Sequence, residues 1–122
     1  MRFLTRQDLE SEQNFIERVA RFSTKSGGRK KLKTFFENEA SRAQLQLLLR
    51  LAAAVVFLEL PISEKAHWTL LASKRKNFLK KLFVSRAKTW KTVREANKEK
   101  LTSILVHIIP VLSPILSSVF EE

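Results

Sequence analysis

From Arg29 to Leu60, and again from Ile62 to Ile109, the chain contains neither glycine nor proline. Its 122 residues include only Gly27, Gly28, Pro61, Pro110 and Pro114 of these two types. An all-β sandwich or barrel needs many tight turns, and tight turns draw on glycine and proline. That supply is missing, so the sequence reads as all-α. The length suits one domain, and residues 1–122 are expected to form a small single-domain helical bundle of about four to six helices. An apolar share of 44% beside 29% charged residues fits a folding chain rather than a disordered one.

Local signals place the helices. Thr5 and Asp8 stand at N-cap and third-residue spacing, with Leu4 and Leu9 where a hydrophobic staple would close the turn. Leu9, Phe15, Ile16, Val19 and Ala20 then continue one apolar stripe to about residue 22. Residues 23–28 (STKSGG) hold both glycines and read as a loop. Leu32, Phe35 and Phe36 beyond it point to a short docking helix. Ser41 and Gln44 repeat the capping-box spacing and open a helix over 42–59. It is apolar on nearly every side, with Arg50 as its interior charge, which makes it the central buried element. Pro61 ends it.

Ser63 can cap the next helix. A long basic amphipathic helix is expected within 64–97, either continuous or joined from two near Ser73–Asn77. On a helical wheel, Phe78, Leu79, Leu82, Phe83, Trp90 and Val93 fall within an arc of about 140°. Lys76, Lys80, Lys81, Lys88, Lys91, Arg94 and Lys98 fall opposite, while Arg75, Arg86 and Lys100 lie near the apolar side. Residues 101–120 form an uncharged run. Helical spacing through Leu101, Ile104, Leu105, Ile108 and Ile109 is expected to stop at Pro110, and Ser113–Pro114 to start a short final helix.

The formal net charge is +11, and two short regions hold more than all of it. Residues 24–36 carry +5 with no acid, and residues 74–100 carry +9 with only Glu95 and Glu99 against eleven cations. Such clustering marks a surface for polyanions. A solvated bundle face is the plainer reading of a charge run. On the basic helix, though, that face is almost free of the acids that would pair at i, i+4, and like charges at that spacing repel without a counter-ion. In 74–100 lysine outnumbers arginine eight to three, which suits contact with phosphate rather than bidentate reading of bases. Trp68 and Trp90 could stack on bases, yet both fit the apolar stripe and core packing explains them better.

Little in the chain can do chemistry. Cysteine is absent, which excludes disulfides, thiol nucleophiles and thiolate metal sites. His67 and His107 stand far apart, Asp8 is the one aspartate, and tyrosine is absent. No His/Asp/Glu grouping has metal spacing and no glycine-rich phosphate loop occurs. His67 reads as a surface residue and His107 as a core or interface one. The sequence therefore predicts no catalytic residues, no metal and no cofactor.

The expected function is sequence-independent binding of nucleic-acid backbone, RNA or DNA, as a small subunit of a ribonucleoprotein or other nucleic-acid assembly. The expected contacts are Lys30, Lys31, Lys33, Lys76, Lys80, Lys81, Lys88, Lys91, Arg94 and Lys98. Other subunits of the assembly would dock through residues 101–120. One alternative is a membrane-active or membrane-anchored protein, with the basic helix on anionic lipid and residues 101–120 inserted. Pro110, Pro114 and His107 within that run argue against insertion. Another alternative is a protein–protein scaffold. The acids at positions 8, 10 and 12 leave no signal-peptide core at the N-terminus, so an intracellular protein is expected.

Overall fold

The computed structural model describes residues 2–23, 28–57 and 76–116. Among them are seven helices and no strand: α1 (Arg6–Ser11), α2 (Gln13–Ser23), α3 (Gly28–Glu39), α4 (Arg42–Val56), α5 (Lys76–Leu82), α6 (Arg86–Glu95) and α7 (Lys98–Leu116). The all-α expectation holds. Two of the anticipated helices are each cut in two, which raises the count.

The first cut lies at Glu12. The capping box forms as the sequence implies: the Asp8 amide donates to Thr5 Oγ1 at 3.2 Å and the Thr5 amide to Asp8 Oδ2 at 2.9 Å. Residues 10–14 offer no apolar side chain to hold the turn against the core, and α1 ends at Glu12. Gln44 at the start of α4 donates to the Glu12 carboxylate at 3.0 Å and ties the bend down.

The second cut corrects the long basic helix. The chain leaves helical geometry after Leu82 and re-enters at Arg86, with Ser85 as N-cap accepting from the Lys88 amide. Among the described residues the break falls at 83–85, and the joint considered near Ser73–Asn77 lies mostly outside them. Two short helices at a corner replace one continuous stripe. Leu79, Phe83 and Val93 stay buried and Trp90 half-buried, while Phe78 and Leu82 are turned outward.

Burial of α4 is as its composition demands. Leu45, Leu47, Leu48, Leu49, Leu51, Ala52, Ala53, Ala54 and Val55 are all buried, each large aliphatic group gaining about 1.5–3 kcal/mol from leaving water. Its capping box is also made, Gln44 amide to Ser41 Oγ at 3.1 Å and Ser41 amide to Gln44 Oε1 at 2.9 Å. Helices α5, α6 and α7 pack on α4, while α7 also packs on α2 and α3. Leu32, Phe35 and Phe36 of α3 are buried as anticipated. From α4, Gln46 donates to the Val93 carbonyl at 2.6 Å, and Arg42 to the Arg94 and Ala96 carbonyls at 2.7 and 3.0 Å. These bonds satisfy acceptors that the end of α6 would otherwise leave without partners.

The C-terminal expectation is overturned. Helix α7 continues through Pro110 and Pro114 to Leu116. Pro114 has no amide for the Pro110 carbonyl four residues back. The Ser113 hydroxyl takes that carbonyl instead, at 3.0 Å, so Ser113 mends a helix rather than starting one. Leu101, Leu105, Ile108, Ile109, Val111, Leu112 and Leu116 are buried in the core. No helix among the described residues is long and apolar enough to cross a membrane. His107 is exposed, which removes the core reading of that residue.

Arg50 explains itself through the N-terminal segment. Its Nε donates to the Phe3 carbonyl at 2.7 Å and its Nη2 to Asp8 Oδ2 at 3.0 Å. Partial burial alone would raise the Asp8 pKa, but the Thr5 amide and hydroxyl and the Arg50 charge outweigh it and hold the carboxyl below its ordinary value. A folded-state pKa below the unfolded one means ionised Asp8 stabilises the fold. That contribution is present above the ordinary carboxylate range and is lost as pH falls through the folded value. Urea midpoints followed from neutral to acid pH are expected to decline less steeply for Asp8→Asn than for wild type. Parallel curves would contradict this assignment.

Candidate nucleic-acid interface

The expected cations occupy two sets of helices. On α3, Lys30, Lys31 and Lys33 are exposed. Helical geometry sends them to different flanks. Lys30 and Lys31 border a groove of about 560 Å³ with Phe22, Thr34, Phe35, Asn38 and Glu39. Lys33 borders a second groove of about 540 Å³ between α3 and α7, with Glu37, Lys98, Thr102 and Val106. Its ammonium lies 4.0 Å from the Glu37 carboxylate, both groups well exposed, a geometry that contributes little.

The second set lies on α5 and α6. Lys80, Lys81, Lys88, Lys91 and Arg94 are all exposed. None of them takes part in an ion pair among the described residues, where the pairs are Arg6–Glu10, Arg18–Glu39, Lys33–Glu37 and Arg50–Asp8. Lys80 and Lys81 fall in the last turn of α5 and Arg94 in that of α6, where a cation also favours the negative end of the helix. That accounts for part of their placement. Lys88 and Lys91, earlier in α6, have no such role. Lys76 begins α5, and its side chain lies outside the described residues, as do Ser63, His67, Trp68 and Arg75.

Lys98 joins the two sets. It is half-buried and donates to the Glu37 carbonyl at the end of α3, at 3.0 Å. Its ammonium is thus partly committed to holding α7 against α3. Three acids lie elsewhere: Glu10, Glu12 and Glu39 line a groove of about 440 Å³ with Gln13, Asn14, Arg18 and Gln44.

The Trp90 expectation resolves clearly. Trp90 stacks on Phe3 at 4.5 Å between ring centroids, with planes 7° apart. That face of the indole is therefore taken by the protein, in keeping with core packing rather than base stacking. Phe57 stacks on Phe3 at 5.5 Å. Arg86, near the apolar side of the wheel, lies over the rings of Phe3 and Phe57 at 4.8 and 5.6 Å, a cation–π arrangement. Phe3 is the residue the sequence reading passed over. A phenylalanine two positions ahead of an N-cap was the available signal.

Among the described residues no group of three His, Asp or Glu side chains could hold a metal ion. Searches against protein-family models, curated proteins and solved structures find no match to this chain.

Proposed function

We propose that this is a non-catalytic helical protein that grips the phosphate backbone of nucleic acid without sequence specificity, as a small subunit of a ribonucleoprotein or another nucleic-acid assembly. The observation that carries the reading is the run of exposed cations Lys80, Lys81, Lys88, Lys91 and Arg94 on two consecutive helices, none of them in an ion pair among the described residues. Exposed lysine is a point charge on a flexible stem, suited to phosphate oxygens at variable geometry. Lys30, Lys31 and Lys33 extend the basic surface from α3. Phosphate contact carries no sequence information.

Counter-ion release gives the magnitude. If about six to eight of these cations meet phosphates, log affinity falls against log salt with a slope of about −5 to −7. Fluorescence anisotropy of labelled random-sequence RNA and DNA across a salt series measures this. An affinity independent of salt would overturn the proposal.

A further inference from the structure

Three large apolar side chains stand out of the α5–α6 corner. Phe78 is 46% exposed, Leu82 45% and Val84 78%. Phe78 and Leu82 are one helical turn apart on the same side of α5. On the wheel they lie between the buried Leu79–Phe83 edge and Lys81. Val84 follows in the break before Ser85. Leu82 and Lys88 line one small depression together with Phe83, Thr89 and Thr92. Lys80 and Lys81 are exposed on the same helix. The arc of apolar residues on α5 is wider than the strip that α4 covers, and the surplus projects among lysines.

A phosphate backbone accounts for the lysines and leaves these three side chains in water. Base stacking uses aromatic faces and gives no account of Leu82 and Val84. A surface with negative headgroups above an apolar layer matches both components at once. Lysines sit at the headgroups while phenylalanine, leucine and valine enter the acyl boundary. We propose that the α5–α6 corner docks on an anionic lipid bilayer, inserting Phe78, Leu82 and Val84 with Lys80, Lys81 and Lys88 at the headgroups. This goes beyond the nucleic-acid reading and does not rest on it. It also differs from insertion of residues 101–120, most of whose described apolar side chains lie in the core.

The full chain is sedimented with vesicles of phosphatidylcholine containing phosphatidylserine, and with vesicles of phosphatidylcholine alone. Co-sedimentation is expected with the anionic vesicles only. The triple variant Phe78→Ser, Leu82→Ser, Val84→Ser is expected to lose at least about tenfold in partitioning while keeping its affinity for RNA measured without vesicles. Because the chain has no cysteine, Val84→Cys can carry an environment-sensitive dye at a single position. Its emission is expected to shift to the blue on adding anionic vesicles, and dye on Asn14→Cys, beside the acidic groove, is expected not to shift. If the triple variant fails to fold, the dye pair decides alone. Absence of vesicle binding by the intact chain, unchanged partitioning of a folded triple variant, or no shift at position 84 would overturn the proposal. Loss of RNA affinity in the folded triple variant, without vesicle binding by wild type, would assign the corner to nucleic acid instead.

Discussion

Replacing Phe3 with alanine is expected to lower the stability of the fold by about 3–5 kcal/mol, the cost of emptying a filled aromatic site. Residues this close to a chain end are ordinarily frayed and tolerant. Phe3 is instead fully buried, stacked against Phe57 at the end of α4 and Trp90 of α6, with Arg86 over its ring. Its carbonyl is further held by Arg50. One side chain therefore closes the seam between the N-terminal segment, α4 and α6, and its loss removes one of the two rings under Arg86. Urea denaturation followed by circular dichroism gives the stability change, and Trp90 fluorescence is expected to change in the folded variant. A loss under about 1 kcal/mol, the scale of an ordinary surface substitution or slightly above, would mean that the stack contributes packing without strength.

Neutralising Lys80, Lys81, Lys88 and Lys91 to alanine is expected to weaken RNA binding by about 10²- to 10³-fold near physiological salt. Each phosphate contact that releases a counter-ion contributes about 0.7–0.9 to the slope, which at that salt is roughly four- to fivefold in affinity. Four contacts multiply to the stated range. The four side chains are exposed and in no ion pair among the described residues, so stability is expected to stay within about 1 kcal/mol of wild type. The loss should be equal across RNA sequences, because phosphate contacts position without specifying. Weakening confined to particular sequences would point to base reading and against the backbone account.

What the sequence disclosed was what short-range chemistry decides. The capping boxes Thr5–Asp8 and Ser41–Gln44 are complete within three residues, and both formed. The helix apolar all round became the central one, since only burial on every side suits such a surface. Where partners lie far apart in the chain, the pattern was silent. Nothing local says that Arg50 meets Asp8 and the Phe3 carbonyl, or that Arg86 covers two phenylalanine rings. The break at 83–85 carries neither glycine nor proline. Its sign was Ser85, whose hydroxyl accepts from Lys88, but the third helical position holds a lysine in place of the carboxylate that completes a capping box. Pro110 and Pro114 misled in the other direction: α7 runs through both, and at Pro114 the Ser113 hydroxyl supplies a hydrogen bond that the backbone cannot.

The candidate interface was legible as charge and illegible as geometry. Lysine content fixed which residues face water, since an unpartnered ammonium is not buried. It did not say that the cations divide between α3 and the α5–α6 corner with Lys98 committed between them, nor that Phe78, Leu82 and Val84 project among the lysines.

The salt dependence of binding tests the central claim most directly. Anisotropy titrations of random-sequence RNA with the intact chain and the four-lysine variant, side by side across one salt series, give two slopes. The account predicts about −5 to −7 for the intact chain and a slope shallower by about 3 for the variant, with no preference among sequences. A slope near zero for the intact chain, or equal slopes for the two proteins, would contradict it.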